Sequence, residues 1–86
     1  MFRIEKDRGP VTKLRLSGRI QADQIASIRS EMDHDGITRI LDLREVTLVD
    51  LGVIRFLIRC EDESVELVQC PSYIREWMLR ERAEEA

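Results

Sequence analysis

Residues 48–57 read LVDLGVIRFL and set Asp50 two places before Gly52, where a strand pattern gives way to a helical one. Such a junction can carry a nucleophile, seat a phosphate on free helix N–H groups, or simply cap the helix. The residue between the two is Leu51, which has no hydroxyl, so no nucleophile stands there. Asp42 and Glu45 lie just upstream, near the carboxyl ends of the central strands, the edge where open α/β sheets bind ligands. Two or three carboxylates with no histidine, lysine or serine beside them do not make an acid–base relay. The chain also lacks a P-loop, GxGxxG, HExxH or GxSxG motif. The expectation is a protein that is not an enzyme, with no catalytic residues.

The remaining reactive side chains point the same way. His34, the only histidine, sits in MDHDG and reads as an exposed residue at a helix end, where the carbonyl dipole favours it. One short turn supplies too few converging ligands for a divalent ion, so neither a metal nor a cofactor is expected. Cys60 and Cys70 match no zinc or redox spacing. With no secretory leader, they read as buried free thiols of a cytoplasmic protein. The 14 basic residues, twelve of them arginine, are mixed along the chain with 17 acidic ones, for a net charge of −3. That balance gives no reason to expect nucleic acid or an anionic membrane as partner. The apolar runs fall far short of the ~20 residues a membrane span needs.

The elements that must position these residues follow from periodicity. Phe2 and Ile4 alternate with Arg3 and Glu5, Gly9-Pro10 turns the chain, and a second strand starts near Thr12, which together predict a hairpin. Ser17-Gly18 reads as a turn before the first helix, in which Ala22, Ile25, Ile28 and Met32 form a stripe closed by Gly36. Residues 37–43 are apolar on both faces near their centre, as in a strand buried between layers, and a loop from Arg44 to Val49 follows. Asp50 caps a helix with Val53, Ile54, Leu57 and Ile58 inward and Arg55 and Arg59 outward. Residues 65–70 form a last strand. Pro71 and Ser72, with Ser72 as cap, open a last helix that turns Ile74, Trp77 and Met78 inward, and the tail 81–86 is expected to fray. The prediction is one α/β domain over residues 1–86, a small mixed four-stranded sheet with about three helices.

Two segments, VTKLRLSGRIQADQIASI and ITRILDLREVTLVDLGVIRFL, resemble the STAS domain of bacterial anti-sigma factor antagonists. The likeness rests on Leu16, Gly18 and Arg19 at the end of one strand, on Leu41-Asp42-Leu43, and on the aspartate Asp50 that opens a helix. It spans about residues 2–80 and implies a STAS-like (SpoIIAA-like) topology, with the four strands side by side in chain order and only the first pair antiparallel, and a role in signal transduction and transcription regulation. Phosphorylated members carry serine or threonine after the aspartate. Here Leu51 stands there, and neither Ser17 nor Thr47 falls on the family's acceptor position. The family also continues with a further strand and helix beyond PSYIREWM.

The resemblance therefore implies a non-catalytic protein–protein interaction module, locked in one state, whose partner is an anti-sigma factor or kinase-like regulator. Its docking residues would be Arg44, Glu45, Thr47, Asp50, Leu51, Gly52 and Arg55. The alternative is a binder of a small anionic ligand or nucleotide at the helix N-terminus opened by Asp50 or by Ala22, with Arg19 and Arg44 nearby. A weak twofold homodimer is expected too, because the last strand lacks the lysines and prolines that guard an edge.

Overall fold

The computed structural model describes residues 2–33 and 38–85. Strands β1 (Arg3–Arg8) and β2 (Thr12–Ile20) form the predicted hairpin, paired antiparallel from Arg8–Thr12 to Arg3–Ser17. One 3-10 turn (Ala22–Gln24) leads into α1 (Ile25–Asp33), which buries Ile28 and Met32. Then come β3 (Ile40–Val49), α2 (Leu51–Asp62), β4 (Glu66–Val68) and α3 (Ser72–Glu85). The sheet order is β1-β2-β3-β4, with β2–β3 and β3–β4 parallel. A small α/β domain with a four-stranded mixed sheet and three helices is the architecture the sequence predicts.

Strand β2 alternates cleanly. Leu14, Leu16 and Ile20 point into the core, where they meet Leu41, Leu43 and Val46 of β3 and the apolar side of α2. Lys13, Arg15, Ser17 and Arg19 take the outward positions between them. Helix α2 is buried around most of its girth, through Val53, Ile54, Phe56, Leu57, Ile58 and Cys60, while Arg55 and Arg59 stay exposed as expected. It lies against α3, whose Ile74 and Met78 are fully buried and whose Trp77 packs half-buried on the same core.

Several expectations are corrected. The loop predicted from Arg44 to Val49 is the second half of β3. The strand carries two bulges there: β2 advances from Arg15 to Ser17 while β3 advances from Asp42 to Glu45, and Gly18 to Arg19 matches Val46 to Leu48. Each bulge inverts the in–out alternation, so core positions run Leu41, Leu43, then Val46, then Val49, and no regular period is left to read. The freed backbone groups are satisfied locally. The Arg44 N–H donates to Asp42 Oδ1 (3.0 Å), and the Thr47 carbonyl accepts from the Tyr73 hydroxyl (2.6 Å).

Ser17-Gly18 is strand rather than turn, with Gly18 at φ 84° beside the second bulge. Strand β3 is not sandwiched between two apolar layers, since beyond Ile40 its outward positions are Asp42, Glu45 and Leu48. Ser72 is the first helical residue rather than the cap, and the Pro71 carbonyl accepts from the N–H groups of Ile74 and Arg75. The tail does not fray over residues 81–85. Glu81 is buried against Arg55, and Arg82 reaches Glu61 and Asp62, so the polar end of α3 is tied to α2 by charge. His34, Gly36 and Ile37 lie outside the described residues.

Strand β4 is only three residues long. Gln69, at φ 53°, turns the chain away from the sheet, and Pro71 follows, so this edge is guarded by brevity and a kink rather than by lysine. Both cysteines are free; Cys60 is buried and Cys70 half-buried. Burial pushes the Cys60 thiol up to about 11 and raises that of Cys70 as well, so neither is a ready thiolate at neutral pH.

Candidate functional site

Asp50 organises the end of β3. Its φ of −109° and ψ of 177° are extended, the geometry of an N-cap, and Oδ1 accepts from the Val53 N–H at 3.0 Å. The other oxygen, Oδ2, accepts from the Ala22 N–H at 2.9 Å. One carboxylate thus caps α2 and holds the start of the 3-10 turn that follows β2. Gly52 completes the joint, because a Cβ there would stand 2.7 Å from the Ala22 Cβ. The glycine allows the first turn of α2 to approach this backbone closely; its role is packing. The turn at residues 22–24 is itself closed by the Gln21 N–H donating to Gln24 Oε1 at 2.8 Å.

Around this joint the surface is apolar. Leu48 is 58% exposed at the end of β3 and Leu51 38% at the start of α2, while Tyr73, 43% exposed, is held to the end of β3 by its bond to the Thr47 carbonyl. A cleft of about 150 Å³ runs beside Leu48, bordered also by Arg19, Ile20, Gln21, Val49 and Asp50. Arg19 and Leu48 are register partners on adjacent strands, both directed outward.

The seven residues singled out from sequence are only partly brought together. Asp50, Leu51 and Gly52 form the junction. Thr47 is exposed and its carbonyl is taken by Tyr73, while Arg44 and Glu45 sit exposed at the first bulge of β3. Arg55 turns toward α3, its Nε 3.3 Å from Glu81 Oε1, and so serves the α2–α3 contact. Sequence reasoning missed Leu48 and Tyr73 as members of the site, and it named Ala22 only as the opening of a helix that could receive an anion. Leu48 looked like one more apolar residue of a loop, and only the bulges turn it outward.

The geometry offers little to an anion. The N–H groups of Val53 and Ala22 that would bind one are occupied by Asp50, whose charge repels it. Among the described residues no three His, Cys, Asp or Glu side chains gather as metal ligands, and no helix is long and apolar enough to cross a membrane.

No family model matches the chain, and no curated protein matches it. A similar solved structure is that of an uncharacterized protein of the DUF3478 family from Shewanella loihica PV-4, described as having a SpoIIAA-like fold. It shares 13% identity over 99% of this chain and 79% of its own, with a TM-score of 0.44.

Proposed function

We propose that this chain is a non-catalytic, STAS-like interaction module that docks a regulatory protein of the anti-sigma factor or kinase-like kind at the β3–α2 junction. The observation that carries the reading is the pairing of a fully committed Asp50 with an exposed Leu51. Both carboxylate oxygens are spent on backbone N–H groups, so the aspartate builds the surface and does no chemistry. Beside it, Leu48, Leu51 and Tyr73 expose apolar area with a polar rim, the composition of a contact patch. A module of this build stays in one binding state, since Leu51 offers no oxygen to modify.

Affinity capture with quantitative mass spectrometry tests it, using the wild-type chain, Leu51→Glu and Val11→Glu as baits. Val11 is 47% exposed in the β1–β2 turn and serves as the control. The expected result is a protein retained by wild type and Val11→Glu and lost from Leu51→Glu. Identical protein sets on all three baits would overturn the reading.

A further inference from the structure

We infer that the segment received at this junction is acidic and apolar together, with Arg19 taking its carboxylate and Leu48 its apolar side chain. This rests on the docking reading above and adds the chemistry of the partner. The argument comes from the outward face of the sheet. There Lys13 stands opposite Asp7, and Arg15 stands between Glu5 and Asp42. Asp42 Oδ2 lies 3.9 Å from Lys13 Nζ and 3.8 Å from Arg15 Nε. Each of these β2 cations therefore has acids on the adjoining strands, and the face neutralises itself.

The pattern stops at Arg19. Its partner on β3 is Leu48, and the pairing of β1 with β2 ends at Arg3–Ser17, so no β1 residue stands across from it. Arg19 is exposed and forms no ion pair among the described residues. Asp50 borders the same cleft, but both its oxygens are held by N–H groups. Glu45, the other outward acid at this end, is opposite Ser17 and is not paired with Arg19. An arginine fork beside exposed leucine and without a counter-charge is complementary to a carboxylate carried next to an apolar side chain, and it disfavours a basic segment.

A displayed library of random peptides of about twelve residues, panned on the immobilised full chain, tests this. Enriched peptides are then titrated by fluorescence polarisation against wild type, Arg19→Glu, Arg19→Lys, Leu51→Glu and Val11→Glu. The expected result is peptides with Asp or Glu adjoining Leu, Ile or Phe. Their affinity should fall about tenfold in Arg19→Glu, less in Arg19→Lys, and with added salt, while Val11→Glu leaves it unchanged. Enrichment of peptides without acids, no enrichment at all, or equal affinity for wild type and Arg19→Glu overturns the inference. Loss of binding in Leu51→Glu alone removes the charge assignment but keeps the docking face, whereas indifference to both changes removes both.

Discussion

A Cβ placed on Gly52 would stand 2.7 Å from the Cβ of Ala22, closer than two methyl carbons can pack. The first turn of α2 and the start of the 3-10 turn are therefore in contact at a point where one hydrogen is all the space allows. Gly52→Ala is expected to destabilise by about 1–3 kcal/mol, the cost of overpacking, despite alanine's better helix propensity. The double variant Gly52→Ala/Ala22→Gly should recover a good part of it in urea unfolding. No recovery would mean that the strain lies elsewhere.

Asp50→Ala removes the acceptor of two N–H groups at once. About 2 kcal/mol should be lost, and about half of that in Asp50→Asn, which keeps one side-chain oxygen. Hydrogen exchange locates the effect: the amides of Val53 and Ala22 should both speed up in Asp50→Ala. Acceleration at Val53 alone would show that the bond to Ala22 contributes nothing.

Glu61 joins α2 to α3 through Arg75 (2.7 Å) and Arg82 (3.1 Å). Burial alone would raise its carboxyl, but the hydrogen bonds and charges of the two arginines outweigh that and hold it below its ordinary 4.5. A depressed carboxylate contributes stability that is fully present above 4.5 and is lost as pH falls through the folded-state value. Glu61→Gln should thus cost about 1 kcal/mol at pH 7, and the gap to wild type should close on acidification. Thermal melts of both proteins from pH 7 down to about pH 3 check this; a gap independent of pH would refute it.

Ser64 has φ 69° after the end of α2, where its N–H donates to the Glu61 carbonyl (3.0 Å) and that of Val65 to the Cys60 carbonyl (2.9 Å). This bond pair is a Schellman ending whose left-handed position is normally glycine. Ser64→Gly should stabilise by about 0.5–1 kcal/mol, the relief of left-handed strain less the added freedom of the unfolded chain. An unchanged or lower denaturation midpoint would show that the serine conformation is unstrained.

The regular parts of this fold were legible because period and burial agree in them. Leu14 and Leu16 alternate in β2, and Val53, Ile54, Leu57 and Ile58 repeat along α2, so these elements and the Asp50 cap followed from the sequence. Residues 44–49 were illegible as strand because two bulges invert the alternation twice within six residues. That also hid Leu48, whose exposure depends on register rather than on residue type. Glu81 and Arg82 read as a solvated tail because their counter-charges, Arg55, Glu61 and Asp62, are 20 to 26 positions away along the chain, a distance only the folded α2–α3 contact closes. The Gly52–Ala22 contact was equally out of reach, since alanine and glycine announce no partner.

The two bulges of β3 also set a rule for how this chain can change length. Each bulge adds one residue and one inversion together, so losing one extra residue at either bulge takes both away and leaves the strand's end unchanged: Val49 stays opposite Ile20 and Asp50 still meets Val53 and Ala22. Losing both restores a plain alternation with the same ending. The bulges are therefore the places where this strand can shorten without exchanging its faces.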